Sequence, residues 1–111
     1  MKKSKKVNVE AEIFERQARL CKAFAHPARL QMLDLLGQGE LGVSELQQKL
    51  GLPKTNVSQH LAILKAAGVL ATRRNGKQIY CSLAIPEVKQ ACHLIRKVLQ
   101  AQIAESQRLI A

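Results

Sequence analysis

The sequence predicts a mainly α-helical single domain of about five helices, with one two-stranded β-hairpin late in the chain. Three observations predict it. Apolar residues recur at helical spacing in separate stretches along most of the chain. A single Asn75-Gly76 pair stands between two short strand-like runs. Aromatics are only 3% of a chain that is 47% hydrophobic, so Leu, Ile, Val and Ala must build the core, a composition that favours helices. The 111 residues are one domain's worth, and a core this small is naturally supplemented by a second copy.

Residues 1–8 carry four Lys and predict a solvated basic arm, leaving 9–111 as the folded domain. From Val9 to about Lys22, Ala11, Phe14, Ala18 and Cys21 recur at helical spacing. "AHPARLQMLDLLGQG" restarts a helix: Pro27 suits its first turn, with His26 at the entrance. Leu30, Leu33 and Leu36 share a stripe, and Gly37 with Gly39 end it. "VSELQQKLG" is a short helix in which Ser44 and Gln47 fit a capping box and Val43, Leu46 and Leu50 face inward. Gly51 stops it and Pro53 opens the next helix. Two helices joined by so short a turn cross at a large angle, which makes a helix-turn-helix.

The second helix of that pair runs to about Ala67. At about 100° per residue, Val57, Leu61 and Leu64 cluster on one side. Thr55, Gln59 and Ala62 project oppositely, with Lys54, Asn56 and Ser58 on the shoulders. A merely solubilising face would be dominated by Glu and Lys. This one is slim and hydrogen-bonding, which suits base edges and phosphates in a major groove. In "VLATRRNGKQIYCSL" the returning strand alternates Ile79, Cys81 and Leu83 on one face with Tyr80 and Ser82 on the other. Arg73, Arg74 and Lys77 surround the tip, where they can grip phosphates flanking the groove. The arrangement reads as a winged helix-turn-helix that binds double-stranded DNA.

After Pro86 a long final helix carries Val88, Cys92, Ile95, Leu99 and Ile103 along one side, with Leu109 and Ile110 extending it. This is more apolar surface than so small a core can cover. Pairing of the terminal helices between two copies, through Phe14, Ala18, Val88, Ile95, Leu99 and Ile103, would bury it. A two-fold dimer would present two recognition helices to successive grooves.

Charge agrees with a polyanion partner. Eighteen Lys and Arg against eight Asp and Glu give a net charge of +10 and a pI near 10.0. No apolar run approaches the roughly 18–20 residues of a membrane span, so no membrane partner is expected. The basic start lacks the apolar segment of a signal peptide, which predicts a cytoplasmic protein with reduced thiols. Cys21, Cys81 and Cys92 form no Cys-x-x-Cys pair, excluding zinc-finger and thioredoxin-like motifs. His26, His60 and His93 fall in three separate elements, and no nucleophile, base and orienting acid assemble, so no enzyme is predicted. A basic RNA-binding module is the rival reading, but two Phe and one Tyr offer little stacking surface. A pure protein-interaction module would not need Arg73, Arg74 and Lys77 together.

Over roughly Leu20 to Val88 the phrases "AHPARLQMLDLL", "ELGVSELQQKLGL" and "VSQHLAILKAAGVLATRRNGKQIYCSL" resemble the ArsR/SmtB family of bacterial winged-helix repressors. The resemblance implies a homodimeric repressor that leaves its operator when an inducer binds. It places Ser58, Gln59 and His60 on the DNA-facing helix, though by angle His60 lies beside the buried stripe and suits packing or phosphate contact equally. The family's sensing motifs do not transfer. Gly42 and Ser44 stand where many members carry two Cys, Ile85, Glu87 and Val98 stand at the positions of a zinc-type site, and Asp34 and Gln100 stand where a sulfur-responsive branch pairs two Cys. What remains are Cys21, Cys92 and Cys81, either small packing residues or a site for trivalent arsenic, another thiophilic ion or reactive sulfur. A winged-helix regulator with no thiol sensing is the alternative.

Overall fold

The computed structural model describes residues 9–110; the basic arm 1–8 and Ala111 lie outside the described residues. Five helices and a small sheet follow in the order α1 (Val9–Phe24), α2 (Pro27–Leu36), β1 (Leu41–Gly42), α3 (Val43–Leu50), α4 (Lys54–Ala66), β2 (Leu70–Asn75), β3 (Gln78–Leu83) and α5 (Glu87–Ile110). It is the predicted winged helix-turn-helix with one addition. β1 pairs antiparallel with β3, Leu41 opposite Cys81 and Gly42 opposite Tyr80, so the hairpin belongs to a three-stranded sheet of order β1-β3-β2.

The core gathers Met32, Leu33 and Leu36 of α2, Leu46 of α3, Val57, Leu61 and Leu64 of α4, then Val69, Leu70 of β2, Cys81 of β3 and Val88 of α5. Each large side chain fully buried there contributes roughly 1.5–3 kcal/mol. On α2 the buried set includes Met32 and not Leu30, which is exposed and faces a cleft shared with Cys92, Ile95, Arg96 and Leu99 of α5. Leu33 and Leu36 of the predicted α2 stripe are buried, and Met32 rather than Leu30 joins them.

Pro27 sits in the first turn of α2, and the N-cap is His26, whose Nδ1 accepts from the Ala28 N–H at 3.1 Å. α3 begins one residue before the expected cap. Leu41 and Gly42 are drawn into the sheet, so Gly42 is the N-cap and its N–H donates to Glu45 Oε1 at 2.9 Å. Ser44 consequently lies inside the first turn and the predicted Ser44–Gln47 box does not form. Gly51 ends α3 in the left-handed region (φ 66°, ψ 31°), which lets the chain turn into α4 within three residues.

β2 and β3 pair from Leu70–Leu83 to Asn75–Gln78, which makes Gly76-Lys77 the two-residue loop. Positive φ occurs at Gly76 (66°) and, among the described residues, at no non-glycine residue, the sign pattern of a type II′ turn. The hairpin is as predicted, with its turn one residue later than Asn75-Gly76.

α1 packs on α2 and α4, and α5 on α2. The radius of gyration is 17.5 Å, against about 13 Å for a compact chain of this length. The excess comes from the terminal helices, whose apolar faces are largely uncovered.

Candidate nucleic-acid interface

α4 turns Val57, Leu61 and Leu64 into the core and leaves Lys54, Thr55, Asn56, Ser58, Gln59 and Ala62 exposed. The outward face thus offers hydroxyls, amides and one Lys on a narrow ridge, the dimensions and chemistry a major groove accepts. His60 does not join this face. It is half-buried, its Nδ1 3.2 Å from Arg29 Nη1 and its ring centroid 4.4 Å from that of His26. The ring packs against the start of α2, as the packing alternative expected. Burial, then His26 and Arg29, hold its pKa below the ordinary 6.5.

The wing rises beside the C-terminal end of α4, and Lys65 Nζ donates to Thr72 Oγ1 at 3.0 Å across the junction. Arg74 and Lys77 are exposed at the tip, and among the described residues neither joins an ion pair. Arg73 behaves differently. Its guanidinium makes two 2.8 Å hydrogen bonds to the Glu40 carboxylate and lies 4.6 Å from the Tyr80 ring centroid. That hydrogen bonding holds the Glu40 carboxyl below its usual range and makes Arg73 still harder to deprotonate. Within the chain, Arg73 thus ties β2 to the segment before β1. Arg29, Glu40, Lys65 and Tyr80 were not picked out from the sequence. Glu40 and Arg73 are 33 residues apart and Arg29 and His60 are 31 apart, and no periodicity marks these pairs.

The predicted thiol group does not assemble within one chain. Cys81 is wholly buried in the core, opposite Leu41 and Thr72, and burial pushes its thiol pKa up. A side chain with no exposure cannot meet a solution ligand, which corrects its place in a sensing site. Cys92 is half-buried against the core, its thiol also pushed up, mainly by burial. Cys21 is exposed on α1. Among the described residues no three His, Cys, Asp or Glu side chains come together as a metal site. Where the sulfur-responsive branch would need a Cys, Asp34 instead accepts from Arg96 Nη2 at 3.2 Å, linking α2 to α5.

Of the residues expected at a dimer interface, Phe14 (68%), Ile95 (59%), Leu99 (51%) and Ile103 (49%) are widely exposed in the single chain, as is Ala18. Val88 is 7% exposed and belongs to the protomer's own core, so its assignment to the interface is corrected. Ile13, Leu94 and Val98 add exposed apolar surface that the sequence stripe had omitted. No helix among the described residues is long and apolar enough to cross a membrane.

A helix-turn-helix with a hydrogen-bonding outer face, flanked by a cationic hairpin, defines a winged-helix DNA-binding protein. Residues 26–72 match the family described as bacterial regulatory protein, arsR family. The chain is 36% identical over 94 residues to the uncharacterized HTH-type transcriptional regulator Rv0081 of Mycobacterium tuberculosis, covering 84% of this chain and 82% of that one. The crystal structure of Rv0081 superposes with a TM-score of 0.78 at 36% identity, covering 85% and 95% of the two chains. The biofilm growth-associated repressor of Xylella fastidiosa is 36% identical over 85 residues (77% and 75% covered). The transcriptional activator HlyU of Vibrio cholerae is 38% identical over 79 residues (71% and 73% covered). The chain belongs to the arsR family: it is a DNA-binding transcriptional regulator and not an enzyme.

Proposed function

We propose that the protein is a homodimeric repressor that occupies a two-fold operator, with one α4 in each of two successive major grooves. The observation that carries this reading is the exposed ridge of Thr55, Asn56, Ser58 and Gln59, backed by a fully buried Val57 and Leu64 and flanked by the unpaired Arg74 and Lys77. Lys54, Arg74 and Lys77 hold phosphates, while Gln59 and its neighbours address base edges. Phe14, Leu99 and Ile103 supply the pairing surface, since an isolated helix of this kind leaves apolar area in water that a second copy removes.

Relatives named as a repressor and as an activator share this domain, so the sign of regulation rests on mechanism. The described elements are accounted for by core formation, DNA reading and pairing, and a body of that kind acts most simply by excluding other proteins from the promoter. An inducer response, in this reading, runs through Cys21 and Cys92 at the terminal helices, with trivalent arsenic or a reactive sulfur species as the thiophilic partner; Cys81 is left to the core.

The test uses a duplex from the region upstream of the protein's own gene, random duplex of equal length and an RNA of equal charge, each titrated by anisotropy, alongside a promoter–reporter fusion. The proposal expects preference for the upstream duplex, lower reporter output with the protein present, and release by arsenite or a persulfide donor that is lost in Cys21→Ser or Cys92→Ser. Equal binding to RNA or a rise in reporter output would overturn the repressor reading. A release that both variants retain would overturn the thiol assignment alone.

A further inference from the structure

Besides its apolar face, α4 is tied to α2 by two imidazoles and a guanidinium. His26 accepts at Nδ1 from the Ala28 N–H (3.1 Å), and its ring is tilted 53° against that of His60 with centroids 4.4 Å apart. His60 Nδ1 in turn lies 3.2 Å from Arg29 Nη1, and Arg29 Nε donates to the Ala23 carbonyl near the end of α1 at 2.6 Å. Arg29 thereby joins three helices.

A guanidinium carries donors and no acceptor, so the Arg29 contact takes a lone pair on His60 Nδ1. His26 Nδ1 accepts from a backbone N–H, which orients its ring beside that of His60. A proton added at His60 Nδ1 would place one N–H against another.

The charged surroundings sharpen this. The groups that act on His60 are His26 and Arg29, both from α2. α1 brings the Ala23 carbonyl, which Arg29 already takes, while α3 and β2 also pack on α4 but add no charge to those acting on the ring. No carboxylate is among them to compensate an imidazolium.

We propose that His26, Arg29 and His60 form an acid-sensitive latch that positions the DNA-reading helix. With the His60 ring neutral, α4 is locked to α2 and Gln59 faces outward; protonation of His60 opens the contact and lowers affinity for duplex DNA. The last consequence rests on the reading of α4 as the base-reading helix. A histidine held low in the folded chain contributes stability that is fully present above its ordinary value of 6.5 and is lost as pH falls below 6.5 towards the folded value. Added positive charge alone would strengthen phosphate attraction, so a fall of affinity in acid runs against simple electrostatics.

The experiment first takes the DNA-free full chain from about pH 8 to about pH 5, reading the imidazole nitrogens by NMR and the amide exchange of α4. The expected result is an Nε2–H tautomer for His60 at the upper end. His60 then protonates at lower pH than it does in the urea-unfolded chain, and α4 loses exchange protection as it does so. Binding to the upstream duplex is then measured for the parent and for His60→Gln, whose amide oxygen can accept from Arg29 and does not titrate. The parent should lose about tenfold in affinity over this range, and His60→Gln less than about twofold. An Nδ1–H tautomer or an imidazolium at His60 near neutrality overturns the latch, as do parallel pH profiles in parent and variant. Absence of duplex binding at every pH overturns the functional reading instead, and the exchange data, taken without DNA, still decide the latch.

Discussion

Arg73 reaches from the wing strand β2 to Glu40, 33 residues earlier, and holds its carboxylate through two 2.8 Å hydrogen bonds while resting over the Tyr80 ring. A cation that a phosphate could use is thus engaged by an internal anion, and phosphate and Glu40 compete for the same guanidinium. Glu40→Gln should release Arg73 and raise affinity for every duplex by about two- to threefold, with a salt dependence steeper by about one unit. Anisotropy titrations at four salt concentrations read this, and an unchanged slope would show that no competition exists.

Arg74 and Lys77 have no such internal partner among the described residues. Arg74→Ala and Lys77→Ala should each weaken upstream and random duplexes alike and flatten the salt slope by about one unit. Arg73→Ala should flatten it less, because the lost charge was already neutralised. Equal slopes for all three variants would mean that Glu40 yields Arg73 on binding.

Gln59 is exposed on the outer ridge of α4. Gln59→Ala should reduce the preference for the upstream duplex over random DNA by about 1–3 kcal/mol while leaving the salt slope intact. A uniform loss on all sequences would move base reading to Thr55, Asn56 or Ser58.

Leu99 is 51% exposed and lies outside the protomer's buried core, so Leu99→Glu should spare the fold of one chain. It should leave the helical content unchanged but cost several kcal/mol of association by burying a charge between copies. Sedimentation should give a monomer, and duplex binding should fall because the second half-site is no longer linked. A dimer of undiminished affinity would place the pairing surface elsewhere.

Cys81 and Cys21 make opposite predictions. Cys81→Ser buries a hydroxyl in an apolar core and should destabilise the chain by about 1–3 kcal/mol in urea unfolding. Cys21→Ser, at an exposed position, should stay within about 0.5 kcal/mol. In the native protein a thiol reagent should modify Cys21 first and Cys81 last, and early labelling of Cys81 would mean that the wing strand opens.

The periodic parts of the molecule were legible in the sequence, because helix burial repeats every three or four residues. Val57, Leu61 and Leu64 entered the core as their spacing required. Legibility failed where a contact depends on two residues only. Leu41 and Gly42 make a strand of two residues, too short for any alternation, yet pairing with β3 moved the start of α3 and dissolved the Ser44 cap. Arg73 looked like a free wing cation because nothing local points to Glu40. Val88 was placed with Ile95 and Leu99 because one continuous stripe serves both the core and the outer face, and the stripe does not mark where one ends. His60 was ambiguous by angle, and its resolution required His26 and Arg29 from another helix.

The pairing of β1 with β3, the Lys65–Thr72 contact and the Glu40–Arg73 bridge tie the wing to the helix-turn-helix at three points. Within one copy these contacts hold the proposed groove-entering ridge and the wing tip on one framework. In the proposed dimer, a signal at the terminal helices would act on the geometry between the two copies. Because half-sites along a duplex repeat with the helical turn of about 34 Å, a rotation of a few degrees between copies suffices to throw one reading head out of phase with the other.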